Sequence, residues 1–274
     1  VLNDFGDPSG FPLTGEGVTV ALLDTGFDYQ HPNLGGCTTD QFLNKECSKF
    51  IGGWNYITDG PDISPDAMQI MNGHGTMTSG TMIGDGRTAI DPYFGVPGGY
   101  SGVAPDAKAY GYVVCSGDQN PCTGAAIMAA LEKCLDPEDT GDFDNNPISV
   151  INLSLSGGDW SHLQRQLWNL GITIFISAGN YADENPPWGY STMRQSACTP
   201  WAISVAALRG RTGKLLSYSS KGPCYNPAGI HYGHSAPAKY FYYLFGSEQN
   251  RYNTMAIKPD MTAPGVGSCV PKPL

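Results

Sequence analysis

The sequence has 274 residues, of which 41% are hydrophobic and 15% charged, enough apolar surface for a sizeable core and too little charge for a disordered chain. Its formal net charge of −10 and pI near 4.7 argue against a nucleic-acid partner, because no excess of positive charge would neutralise phosphates. No apolar run reaches the roughly 18 residues that a membrane-spanning helix needs.

No composition shift divides the chain, so residues 1–274 are read as one domain. After a turn-rich lead-in over 1–17, residues 18–23 (VTVALL) predict a buried parallel strand that stops at Asp24-Thr25-Gly26. A polar turn covers 27–34, and 35–48 is an insertion bracketed by Cys37 and Cys47. Residues 49–56 (KFIGGWNY) predict a second strand. The stretch 72–84 (NGHGTMTSGTMIG) then sets His74 between two glycines at a helix start, with Thr76, Thr78 and Ser79 close behind. A Gly/Pro-rich loop over 84–102 and a short turn at 103–105 lead to a third strand, 108–114 (KAYGYVV).

Thr123 caps a helix running to about Leu135, and an acidic loop (DPEDTGDFD) follows. A central strand is predicted over 148–155 (ISVINLSL), ending in Ser156-Gly157-Gly158. An amphipathic helix spans 161–170 and is terminated by Gly171. Residues 172–177 (ITIFIS) form the next strand, closing on Ala178-Gly179-Asn180, and 201–208 (WAISVAAL) form another. The remainder reads as loop: SYSSKGP at 217–223, an aromatic-rich stretch at 225–252, and IKPDMTAPG at 257–265.

Strands alternating with helices describe a three-layer α/β domain, a mostly parallel sheet with helices on both faces. Such sheets bind ligands beyond the carboxyl ends of their strands. Asp24, the 156–158 turn and Asn180 all fall at such ends. An aspartate after a buried strand, a histidine at a helix start and an asparagine at another strand end suit acyl transfer. The carboxylate fixes the imidazole tautomer, the histidine acts as general base and then acid, and the amide donates to a developing oxyanion.

These residues carry a family resemblance. The chain resembles the subtilisin-like serine proteases, or subtilases. Residues 18–26 with His31-Pro32-Asn33-Leu34 are similar to that family's aspartate motif, and 73–80 to its histidine motif. Residues 103–105 match its GVAP segment, 150–158 its substrate-binding strand and 177–180 its oxyanion segment. Residues 216–223 (LSYSSKGP) and 258–265 (KPDMTAPG) match as well, so the likeness spans most of the chain in family order. Asp before His, with Ser last, is the subtilisin order.

The resemblance implies a secreted serine endopeptidase with Asp24 as triad carboxylate, His74 as general base and Asn180 as oxyanion donor. It implies that Ser154, Leu155, Ser156 and Gly157 pair with an extended polypeptide substrate as an added strand. Ser177, Ala178 and Gly179 form the opposite wall of the specificity pocket. The family's nucleophile lies in a Gly-Thr-Ser-Met-Ala type motif at the start of a helix. No such motif occurs in the 274 residues, and Ser268 falls too early and is followed by Cys269 and prolines. The sequence is therefore expected to be an N-terminal portion of the peptidase domain, its serine either carried by a second chain or lost. The alternative is a catalytically inactive scaffold that binds peptides. Asn33 stands where relatives often place a calcium-ligating aspartate. No cofactor is expected, and calcium stays open, because a neutral amide is a poorer ligand for a hard cation.

The eight cysteines show no CxxC pairing and no zinc-finger spacing, which favours disulfides and an extracellular compartment. Cys37 with Cys47, and Cys115 with Cys122, are the expected local pairs. The chain opens on Val1, from which removal of a targeting segment is expected. The sequon at Asn152-Leu153-Ser154 lies in an apolar run and is expected to be unmodified. Two other patterns lead nowhere. A second Asp-Thr-Gly at 139–141 lacks the preceding apolar strand of an aspartic protease, and His231 with His234 lacks a local carboxylate or cysteine for a metal.

Overall fold

All six residues of β1 (Thr19–Asp24) are buried, as an apolar run covered on both faces of a sheet requires. The computed structural model describes residues 13–65, 73–86, 101–116, 122–182, 192–224 and 258–266. These form two units, one from residues up to Asn152 and one from Leu153 onward.

In the first unit β1 lies at the centre. It pairs in parallel with β3 (Lys108–Val113), which pairs in parallel with β2 (Phe50–Asn55), while β4 (Ile148–Leu153) flanks β1 on its other side. Alternate residues Val20 and Leu22 join Phe27, Tyr29, Leu34, Phe50, Ile63 and Ile83 in one apolar cluster. Two aromatic pairs, Phe27 with Phe50 at 5.4 Å and Tyr29 with Phe42 at 4.5 Å, anchor it.

The insertion between Cys37 and Cys47 is not featureless. It folds a short helix, α1 (Thr39–Leu43), whose start is a reciprocal cap between Thr38 and Gln41. Helix α2 (His74–Ile83) follows β2, and α3 (Gly124–Lys133) starts at Thr123, whose hydroxyl accepts the Ala126 N–H at 3.2 Å. Both expected local disulfides are present, Cys37–Cys47 and Cys115–Cys122.

The second unit holds α4 (Ser161–Asn169), β5 (Thr173–Ser177) and β6 (Ile203–Arg209), with β5 and β6 parallel. A two-residue strand, β7 (Lys214–Leu215), turns back antiparallel on β6. A third disulfide, Cys198–Cys224, pairs two cysteines that spacing alone did not connect. Among the described residues Cys134 is the free thiol; it is buried, and burial pushes its pKa far up. Cys269, Ser268 and the His231/His234 pair lie outside the described residues.

One expectation is corrected here. The segment 257–265, read as loop, contains a strand, β8 (Met261–Val266), in parallel register with β6. Pro264 and Gly265 argue against a strand when the segment is read alone. Pairing with β6 overrides them, and the ladder shifts register between Leu208 and Arg209, opposite the Pro-Gly step. Asp260 sets the start of the pairing. Its Oδ2 accepts the Ser204 N–H at 2.7 Å and the Ser204 hydroxyl at 2.9 Å, while its own N–H donates to Ser204 O.

Candidate active site

Asp24 is the last residue of β1 and is 2% exposed, so its carboxylate needs partners to stay charged. It has three. Oδ1 accepts the Thr25 N–H at 2.7 Å and lies 2.6 Å from His74 Nδ1. Oδ2 accepts the Thr78 hydroxyl at 3.0 Å, Gly75 O being that hydroxyl's alternative acceptor at 3.1 Å. The Asp24 backbone carbonyl is fixed as well, by the Val114 N–H.

His74 is the first residue of α2, a helix whose N-cap, Gly73, has no side chain to satisfy the first-turn amides. The end of β1 supplies the substitute. Thr25 Oγ1 accepts the Gly75 N–H at 2.8 Å, and in return Thr76 Oγ1 accepts the Asp28 N–H at 3.0 Å. This reciprocal pair docks the start of α2 onto the chain after β1. The docking demands glycine at position 75, where a Cβ would lie 2.5 Å from Thr25 O and 2.7 Å from Gly26 O.

With Nδ1–H given to Asp24, the imidazole presents Nε2 as its basic nitrogen. The ring is 43% exposed beside a carboxylate that is 3% exposed, so solvent-side chemistry is open to the histidine and not to the aspartate. The hydrogen bond to Asp24 and the charge behind it raise the His74 pKa above its ordinary 6.5, against the downward pull of burial. Such a pair can hold an imidazole in one tautomer and accept a proton at Nε2.

In the second unit, Ser177 ends β5 and the buried Ala178 donates its N–H to Val205 O at 2.9 Å. Gly179 has φ +101°, and an added Cβ would lie 2.8 Å from the Tyr181 ring and 3.0 Å from Ser220 Oγ. Asn180 follows and is exposed. The turn is clamped by Ser220, which is fully buried. Its N–H donates to Gly179 O at 2.8 Å, and its hydroxyl accepts the Tyr181 N–H at 3.0 Å while donating to Thr192 O at 3.2 Å.

β4 ends at Leu153, so Ser154 to Gly157 lie beyond it, two residues earlier than the predicted strand end allowed. There Gly157 donates its N–H to Ser196 Oγ at 3.0 Å. Ser196 is itself held by Gln164, whose Nε2 donates to Ser196 O at 3.0 Å and whose Oε1 accepts the Thr199 hydroxyl at 2.9 Å.

A model of the subtilase family matches residues 15–271. The chain belongs to the subtilase family. Curated relatives include the serine protease AprX of Bacillus subtilis (strain 168), 28% identical over 94% of this chain and 48% of that protein. Another is a subtilisin of Bacillus sp. (strain TA39), 29% identical over 76% of this chain and 44% of its own length. This subtilase thus spans about half the length of the curated relatives it matches. Among solved structures, the protease domain of PatA superposes with a TM-score of 0.52 at 18% identity, covering 76% of this chain and 64% of that one. The prenylagaramide maturation protease PagA gives 0.50 at 15% identity, over 78% and 64%. At those identities the two structures establish the subtilisin-like α/β fold.

Of the residues singled out in the subtilase sequence, Asp24 and His74 meet directly. Three supporting residues were missed: Thr78, Ser196 and Ser220. Thr78 was within reach, since positions 74 and 78 of a helix share a face. Ser196 carries no local signal, its partner Gly157 being 39 residues away, and although Ser220 lies within the family-like segment 216–223, its contact with Tyr181, also 39 residues away, cannot be read there. The second Asp-Thr-Gly forms a surface turn. Asp139 is 84% exposed and ion-paired to Lys133, and Asp136 accepts the Thr140 and Gly141 N–H groups. Asn33 is buried in a turn where His31 Nδ1 accepts its N–H at 3.1 Å. Among the described residues no three His, Cys, Asp or Glu side chains converge as a metal site.

Proposed function

We propose that this chain supplies the acid–base machinery of a secreted serine endopeptidase, as one peptidase domain whose nucleophilic serine lies outside the 274 residues. The observation that carries this reading is the 2.6 Å contact between the buried Asp24 and the half-exposed His74. Family membership over residues 15–271 supports it, and three disulfides support an oxidising compartment.

In this mechanism His74 Nε2 takes the proton of the serine hydroxyl as its oxygen attacks the scissile carbonyl carbon. Asp24 holds Nδ1–H and stabilises the imidazolium, and Asn180 donates its amide to the oxyanion. The imidazolium then gives its proton to the leaving amine, and a water repeats the sequence to release the acyl group. Ser154 to Gly157 hold the extended substrate backbone on one side, with Ser177 to Gly179 opposite. The serine comes from the remainder of the polypeptide or from a second chain.

A fluorophosphonate probe tests the serine assignment. Labelling is expected only in preparations that contain a serine-bearing segment beyond these residues, and labelling of the bare 274-residue chain overturns it. In the complete enzyme His74→Ala is expected to lower turnover by about a million-fold. Unchanged peptide hydrolysis in that variant refutes the acid–base role.

A further inference from the structure

β6 and β7 are joined by a tight turn, 210–213, in which the Gly213 N–H is shared between Arg209 O at 3.1 Å and Gly210 O at 3.2 Å. The register of the two strands sets Arg209 directly opposite Lys214. Opposed residues of an antiparallel pair put their side chains on one face, with Cβ atoms about 5 Å apart, and like charges there repel. A lysine on a sheet edge has a use by itself, since it blunts the edge against pairing with another chain. A guanidinium set across from it adds repulsion and nothing to that use.

The two cations also share a cavity. Arg209, Thr212, Lys214, Leu215, Leu216 and Ser217 line a space of about 340 Å³, within the size range of small-molecule sites. No carboxylate lines it, and among the described residues neither cation is ion-paired. The sequence around it is one-sided. Residues 185–247 hold six lysines and arginines and no aspartate or glutamate, in a chain whose net charge is −10. Two opposed positive charges with no internal counter-charge draw one from solution.

We propose that this cavity binds a phosphate monoester dianion, held between Arg209 and Lys214. Charge selects the class. A doubly charged phosphoryl group neutralises both cations, whereas a carboxylate leaves one uncompensated. The guanidinium fork suits two phosphoryl oxygens side by side, and the ammonium serves a third as a point charge. Ser217 adds a hydroxyl to the lining, while Leu215 and Leu216 give an apolar wall for the organic part of the ester. The site lies within the second unit and uses neither Asp24 nor His74, so it stands or falls apart from the endopeptidase reading.

Calorimetric titration of the full-length protein at constant ionic strength tests it, with phenyl phosphate and benzoate as probes that share a ring and differ in charge. Saturable binding of phenyl phosphate is expected, at least roughly tenfold tighter than benzoate. It should weaken as pH falls below about 6, where the ester loses its second charge. Arg209→Gln and Lys214→Gln should each weaken it by roughly tenfold, and Arg209→Lys, which keeps the charge but not the fork, by less. His74→Ala should bind as the wild type does. Equal affinities for the two probes, no binding of either, or binding that survives both glutamine substitutions overturns the proposal.

Thermal unfolding gives a second reading, because Arg209 and Lys214 are exposed and their variants are expected to fold. Saturating phenyl phosphate should raise the unfolding midpoint of the wild type and leave that of Lys214→Gln nearly unchanged. A shift of the same size in both proteins overturns the site.

Discussion

The two regions to which function is assigned above are built differently. The Asp24–His74 pair is assembled from the end of one strand and the start of one helix, and nearly all of its support comes from residues adjacent to the pair itself: Thr25, Gly75, Thr76 and Thr78. The turn carrying Gly179 and Asn180 is held by a single buried serine, Ser220, from a distant segment, and Gly157 likewise depends on Ser196. A site built from neighbouring residues fails through its chemistry when altered. A site hung on remote buried hydroxyls fails through its scaffold.

That contrast sets the order of expected effects. Asp24→Asn leaves the packing nearly unchanged but presents the wrong hydrogen-bonding partner to Nδ1. In the complete enzyme it is expected to lower kcat by roughly 10,000-fold with little loss of stability, measured by peptide hydrolysis alongside urea unfolding. A comparable fall in unfolding midpoint would erase the distinction between the two regions.

Ser220→Ala is expected to do the reverse. It leaves the Tyr181 N–H without its acceptor in a half-buried place, at a cost of about 1 kcal/mol in unfolding free energy. Displacement of Asn180 should reduce hydrolysis by up to about 100-fold, far less than the Asp24 change. Thr78→Val, similar in shape, removes one of the three donors to Asp24 and is expected to reduce activity by about tenfold.

The smallest effect is the most direct reading of the pair. Because Asp24 raises the His74 pKa above 6.5, the ring should titrate above that value by NMR in the wild type and fall back in Asp24→Asn. A general base must be neutral, so the acidic limb of kcat/KM should have its midpoint above 6.5 as well. The stability sign follows. A folded pKa raised above the unfolded one contributes stability that is fully present below about pH 6.5 and is lost as pH climbs through the folded value. The stability gap between wild type and Asp24→Asn should therefore narrow at alkaline pH, and a gap that widens there contradicts the assignment.

Much of this was written in short stretches of sequence. VTVALL dictates a strand buried on both faces, and the β1 burial pattern agrees residue by residue. Thr123, Gly171 and the two short cysteine loops mark boundaries by local chemistry that does not depend on the fold. Asp24 and His74 were legible because their residue types and neighbours are informative within a few positions. By itself the sequence thus determined the α/β class and the family, and it singled out Asp24 and His74, which the fold brings within 2.6 Å.

Tertiary structure alone decided the rest. β8 exists because Ser204 and Asp260 bring a proline-containing segment into register with β6, a long-range pairing that outweighs local propensity. Cys198 meets Cys224 across 26 residues, and Ser196 and Ser220 acquire their meaning only from what the fold sets beside them. A buried hydroxyl is defined by its partner, and a partner many residues away leaves no periodicity or spacing to read.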